Sequence, residues 1–118
     1  MGLDIGFYRD GEEVFYLRNH DDFFEALANG SGGNVYEDYS DFYVTLDTLA
    51  VVEGMIEDGF IDCGLSPDEA LTDIPDAFHG LDARGTEWKE LLRYYPAIVA
   101  FLAEDISANG PLICGWSA

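Results

Sequence analysis

The sequence predicts an α+β fold in which a small antiparallel sheet packs against several helices. Residues 4–17 carry apolar and aromatic side chains on both sides of Asp10-Gly11, which is typical of an N-terminal β-hairpin with a tight turn. Residues 46–58 and 86–106 carry apolar side chains at helical spacing instead. Hydrophobic residues make up 48% of the chain, which is enough for a core without metals or disulfides.

The N-terminal half continues from the hairpin into a short helix and a further strand. Residues 20–29 are expected to form the helix, with acidic side chains in its first turns and Phe23 and Leu27 facing inward. The glycine-rich stretch 30–34 is expected to be a loop. Residues 35–44 then alternate aromatic and acidic side chains loosely, and Phe42, Tyr43 and Val44 favour a strand.

The second predicted helix spans residues 46–58. Thr45 is a suitable N-cap for it, and Gly59 is expected to end it. Its inner face is predicted from the apolar residues at helical spacing, namely Leu46, Leu49, Ala50, Val52, Met55 and Ile56.

The C-terminal half is expected to contain two more helices and a closing strand. The stretch 66–69, Ser-Pro-Asp-Glu, has the capping pattern of a helix start. Thr86 is expected to open the last helical region, in which Pro96 predicts a break or kink. The sequence Asn-Gly-Pro at 109–111 is expected to end that helix, and residues 112–116 are expected to form the strand.

The most unusual property of the sequence is its charge. It has 24 acidic and 5 basic residues among 118, which gives a formal net charge of −19. Residues 19–83 contain no Lys or Arg, although they contain 16 of the acids. This excess opposes compaction and exceeds what solubility needs. A functional acidic surface explains it, and adaptation to high salt or drift are alternative explanations.

The charge and the N-terminal sequence exclude several classes of function. DNA, RNA and anionic membranes are themselves negatively charged, so direct binding to them is not expected. The first residues lack a secretory signal, and no apolar run has membrane-spanning length. We therefore expect residues 1–118 to form a single acidic globular domain in the cytoplasm, with Cys63 and Cys114 as reduced, mainly structural thiols.

No motif in the sequence indicates catalysis or a cofactor. The chain has no nucleophile elbow and no phosphate-binding loop, and His20 and His79 are interpreted as surface or helix-end residues. A calcium-loop alignment over residues 58–69 fails because Phe60 and Cys63 occupy the third and sixth places. We therefore predict a protein that is not an enzyme and binds no cofactor or metal. The alternatives are a small enzyme that uses His20 or His79 and weak, unspecific calcium binding by clustered carboxylates.

The acids themselves are the candidate binding residues. Glu53 and Glu57 are four residues apart in the predicted helix, which places their Cβ atoms about 6 Å apart on one face. That separation is of the order of the phosphate spacing along a nucleic-acid strand. The predicted partner-binding residues are Glu37, Asp38, Asp41, Asp47, Glu53, Glu57, Asp58, Asp62, Asp68, Glu69, Asp73 and Asp76.

In length, acidity and predicted α+β build, the chain resembles the bacterial DNA-mimic proteins, a class that includes small proteins binding the histone-like nucleoid protein HU. The resemblance rests on these global properties and transfers no individual residue. It implies a monomer that occupies the DNA-binding site of a basic protein, with an HU-like protein favoured. The alternative is an acidic immunity or inhibitor protein against a cationic nuclease or a phage-defence enzyme, with Tyr36, Tyr39 and Tyr43 as candidate hot spots.

Overall fold

A computed structural model of the chain describes residues 3–32, 41–76 and 82–117. In these parts a four-stranded antiparallel sheet with an N-terminal hairpin packs against three α-helices, so the predicted α+β class is confirmed. The strands are β1 (Asp4–Arg9), β2 (Glu12–Arg18), β3 (Phe42–Val44) and β4 (Leu112–Ser117). The helices are α1 (Asp21–Ser31), α2 (Leu46–Cys63) and α3 (Trp88–Asn109).

The sheet has the strand order β2-β1-β4-β3, and every neighbouring pair is antiparallel. The hairpin turns at Asp10 and Gly11, whose φ angles of 53° and 80° match the tight turn that the sequence predicts. The C-terminal strand therefore lies between the hairpin and β3.

Alternation along the strands determines which face of the sheet meets the helices. Ile5 and Phe7 of β1 are fully buried, whereas Tyr16 of β2 and Tyr43 of β3 point to the opposite face and are exposed. The core combines the inner strand residues with the buried faces of the three helices. Its largest fully buried side chains include Phe7, Phe23, Leu27, Leu49, Leu92, Tyr95, Ile98, Leu102 and Leu112.

Helix α2 begins where the sequence predicts but extends beyond the predicted end. The side chain of Thr45 accepts a hydrogen bond from the backbone N–H of Thr48, which confirms the predicted N-cap. The prediction that Gly59 ends the helix is wrong, because Gly59 is buried against Leu92 of α3 and a Cβ atom there would lie 2.7 Å from Leu92 Cδ2. The helix ends at Gly64, whose φ of 68° is left-handed.

The proline in α3 does not interrupt the helix, so of the predicted break or kink the break is wrong. Trp88–Asn109 is helical throughout, and both Tyr95 and Ile98, on either side of Pro96, are fully buried. Packing against the core therefore outweighs the backbone hydrogen bond that Pro96 cannot donate.

The capping pattern at residues 66–69 forms as predicted, but it starts only a 3₁₀ turn (Pro67–Glu69) and not a full helix. Ala70 already has extended backbone angles. A second 3₁₀ turn (Ala83–Gly85) precedes α3, which begins at Trp88, two residues after Thr86. The predicted end at Gly110, with φ of 96°, and the closing strand are confirmed.

Candidate partner-binding surface

In the part of the chain that the structure describes, the ion pairs join arginines to acids outside residues 41–76. Arg9 lies 2.6 Å from Asp105, and Arg93 lies 3.2 Å from Glu90. The guanidinium of Arg18 lies 3.1 Å from the carboxylate of Asp4 and 3.7 Å from that of Asp82. Within the described parts of the chain, no acid between residues 41 and 76 forms an ion pair with a lysine or arginine.

Five of these unpaired acids lie on the outer surface of α2, and we call them the α2 acids. They are Asp47, Glu53, Glu57, Asp58 and Asp62, and all five are exposed.

The helical repeat arranges the α2 acids in two rows. Glu53 and Glu57 are one turn apart on the flank that faces α3, since both contribute to a depression that Pro96 also lines. Asp58 and Asp62 are one turn apart on the other flank, and Asp47 lies three turns before Asp58 on that side. From Asp47 to Asp62 the acids span about 22 Å of helix at 1.5 Å per residue.

Apolar and small side chains occupy the strip between the two rows. Ile61 lies in this strip and is 76% exposed, whereas Leu46, which is 49% exposed, lies two turns before Glu53 on the flank that faces α3. Leu46 and Ala50 were expected on the inner face, and the structure corrects this because the buried stripe runs through Thr48, Leu49 and Val52 instead. The outer surface of α2 is therefore both acidic and partly apolar.

The structure places other predicted site residues near the end of α2. Asp68 and Glu69 lie in the 3₁₀ turn that follows the helix, and both are exposed. The carboxylate of Glu69 accepts a hydrogen bond of 2.7 Å from the backbone N–H of Ser66, so it has a local structural role. Asp68 is an exposed acid in the same turn.

Asp73 belongs to a different region. It lines a groove of about 450 Å³ together with Glu104 and Phe101 of α3 and Val14 of β2. Glu104 is an acid of this groove that the sequence analysis did not select, because its proximity to Asp73 depends on how α3 packs. Asp76 is exposed.

Asp41 lies beside the sheet and not on the outer surface of α2. Its Oδ1 atom is 3.7 Å from the position that a Cβ atom would take at Gly115 of β4. Burial, with a smaller contribution from the negative charge of Asp41, raises the pKa of the Cys114 thiol to about 12. Two further predicted acids, Glu37 and Asp38, are outside the described residues.

His20 is at the N-terminal end of α1, as the helix-end interpretation has it, but it is buried, so the surface interpretation is wrong. It is 1% exposed at the start of α1, and its Nδ1 atom lies 2.9 Å from the hydroxyl of Tyr95. Burial is the main cause that raises the pKa of Tyr95. The pair borders a cavity of about 230 Å³ that Asp22 and Arg84 also line. The other histidine, His79, is outside the described residues.

The residues of the failed calcium-loop alignment, 58–69, include the end of α2 and the 3₁₀ turn that follows it. Asp58 and Asp62 lie on a helix and point outward, and the Glu69 carboxylate is bound to the backbone of Ser66. In residues 3–32, 41–76 and 82–117, no group of three or more His, Cys, Asp or Glu side chains is placed to hold a metal ion. Both cysteines are free thiols, with Cys114 buried and Cys63 half-buried.

Comparison with known proteins identifies no relative, since no family model, curated protein or solved structure matches the chain. None of the helices in the described ranges has the combination of length and apolar character that crossing a bilayer requires.

Proposed function

We propose that this protein binds the cationic nucleic-acid-binding surface of another protein and competes there with DNA. The observation that carries the proposal is the unpaired state of the α2 acids, which lie exposed in two rows on one helix. Their like charges at i, i+4 cost a few tenths of a kcal/mol per pair in the free protein. A cationic partner would relieve that repulsion.

The spacing of the α2 acids is closer to one nucleic-acid strand than to a duplex. A strand carries one phosphate per 3.4 Å of axis, so about 22 Å of strand holds six or seven charges, whereas a duplex holds about 13. Five acids on α2 approach the lower figure. Asp68 adds a further exposed acid in the turn after the helix.

The opposite charges of the two proteins determine how fast they associate and how strongly their binding depends on salt. Complementary charge accelerates association and makes it strongly dependent on ionic strength. An HU-like nucleoid protein is the first partner to test, on the grounds of the global resemblance to DNA-mimic proteins. In this proposal the protein acts in the cytoplasm as a binding protein without catalytic activity.

A displacement titration tests the proposal. Labelled duplex DNA is bound to HU, and the protein is added at 50, 100 and 200 mM NaCl while fluorescence anisotropy is recorded. Displacement at 50 mM that weakens steeply with salt is the expected result. Polyglutamate of 19 residues, which matches the formal charge of the protein, is the control for unorganised negative charge.

Two results would contradict the proposal in different ways. Absence of displacement at 50 mM NaCl would exclude HU as the partner. Equal displacement by polyglutamate would show that the arrangement of the acids contributes nothing beyond their number.

A further inference from the structure

An apolar groove lies beside the α2 acids, between the C-terminal half of α2 and α3. Its lining includes Ile56, Phe60, Ile61, Leu65, Ala70 and Pro96. The groove has a volume of about 470 Å³. It continues into a second depression of about 220 Å³, with which it shares Ile56, Glu57 and Pro96.

The groove follows from how the two helices meet. Gly59 and Leu92 allow a close approach of α2 and α3, because a Cβ atom on Gly59 would clash with Leu92. Beyond that contact α2 ends at Gly64, and the chain passes into the 3₁₀ turn at Pro67. The turn closes one side of the groove, and Pro96 of α3 closes the other.

The groove combines an apolar floor with a negatively charged rim. Ile61 at its edge is 76% exposed, which is an unusual position for a large aliphatic side chain. Glu53 and Glu57 lie along the α2 rim. Arg93, on the α3 side, donates hydrogen bonds to the Glu90 carboxylate and to the backbone carbonyl of Glu69, so its charge is already compensated.

We infer that this groove binds an amphipathic, cationic segment of the partner protein, with apolar side chains on the floor and Lys or Arg side chains at the Glu53–Glu57 rim. Charge complementarity selects this occupant. An acidic or neutral apolar segment would leave the rim acids uncompensated, and a second copy of this chain would bring another net charge of −19.

The length of the groove sets the size of the segment. Glu53 and Ile61 are eight residues apart on α2, which corresponds to about 12 Å along the helix. About two turns of a helix fit that distance. The inference rests on the proposed function, since it specifies which part of the surface holds the partner.

A peptide-binding experiment on the full chain tests the inference. The probe is the labelled dodecapeptide KLLKKLLKKLLK, whose leucines share one helical face, and its control has the same composition in a sequence that disperses the leucines. The matched protein variants are Ile61→Ala in the groove and Val51→Ala on the other flank of α2, where Val51 is 46% exposed. Circular dichroism confirms that each variant is folded.

The expected result is that Ile61→Ala weakens binding of the amphipathic peptide about tenfold, whereas Val51→Ala changes it less than twofold. The double variant Glu53→Gln/Glu57→Gln should weaken binding and reduce its dependence on salt. Equal affinity for the two peptides, or equal effects of the two alanine variants, would overturn the inference.

The two proposals fail separately in this design. If the wild-type protein displaces DNA from HU and Ile61→Ala does so equally well, the groove assignment is wrong and the proposed function stands. If the peptide binds the groove but the protein does not displace DNA from HU, the groove assignment stands and the HU partnership is wrong.

Discussion

The hairpin and α3 each contain acids that pair with an arginine, whereas α2 contains none in the part of the chain that the structure describes. Asp4, Asp82, Glu90 and Asp105 contact arginines, so their charges contribute to holding β1, β2 and α3 in place. The α2 acids have no such cation within the described residues, although they lie on an equally regular element. The comparison separates acids that stabilise the fold from acids that are available to a partner.

The largest expected effect comes from breaking the most buried ion pair. Arg9 and Asp105 have side chains that are 19% and 20% exposed, and Arg9 also donates a hydrogen bond to the Gly110 carbonyl. Arg9→Met should lower the free energy of unfolding by about 2 kcal/mol, because Asp105 loses its compensating charge. Urea unfolding measures this change.

Lys89→Met is the matched control for that substitution. Lys89 is exposed and has no ion pair in the described residues, so its replacement should change the free energy of unfolding by less than about 0.5 kcal/mol. Equal destabilisation by the two variants would contradict the structural role of the Arg9–Asp105 pair.

A smaller effect of opposite sign is expected on α2. Glu57→Lys replaces an i, i+4 repulsion with Glu53 by an attraction, so it should stabilise the protein by roughly 0.5 kcal/mol at low salt. The gain should shrink in 0.5 M NaCl because salt screens exposed charges.

Glu12→Lys makes the same charge change in the hairpin and is the control for Glu57→Lys. It should not stabilise the protein, since the new lysine would lie opposite Arg9 in the β1–β2 ladder. Stabilisation of the same size at both positions would mean that net charge alone matters and not its location.

The smallest expected effect is the pH-dependent contribution of Asp82 to the stability of the protein. A hydrogen bond from Asn19, together with one from the backbone N–H of Arg84, lowers the pKa of Asp82 below its ordinary value of 3.8. Because the pKa of Asp82 is lower in the folded state than in the unfolded state, the ionised carboxylate stabilises the folded protein above pH 3.8. This stabilisation is lost as the pH falls through the pKa of the folded state. The urea midpoints of the wild type and Asp82→Asn should therefore differ at pH 7 and converge near pH 2. A difference that persists unchanged at pH 2 would contradict this role.

Local chemistry made much of the fold predictable from sequence. Asp10-Gly11 needs positive φ angles, Thr45 can cap a helix, and Gly110 can end one, so each marks a boundary whatever its surroundings. Gly59 does not end its helix and Pro96 does not break its own, because the environment of each residue decides its role. Gly59 is in a helix since Leu92 packs against it, and that contact joins residues 33 positions apart.

The candidate site could be predicted from sequence only for those acids that lie together on a single helix. The spacing of Glu53 and Glu57 places them on one flank of α2 without knowledge of the tertiary structure. The location of Asp41 beside β4 and of Asp73 beside α3 depends on tertiary packing, which no local pattern encodes. The groove at Ile61 was missed for the same reason, because residues of α2, the 3₁₀ turn and α3 line it together.

The most direct test of the central claim compares equal charge removal from α2 and from the hairpin. Glu57→Gln/Asp58→Asn/Asp62→Asn and Asp10→Asn/Glu12→Gln/Glu13→Gln each remove three exposed acids. Their apparent affinities for HU are measured by displacement of labelled DNA at 50 mM NaCl. The α2 variant should lose about tenfold in affinity, since three exposed pairs at roughly 0.5 kcal/mol each total about 1.5 kcal/mol, and about 1.4 kcal/mol corresponds to a factor of ten. The hairpin variant should lose less than threefold, and equal losses in the two variants would contradict a binding surface on α2.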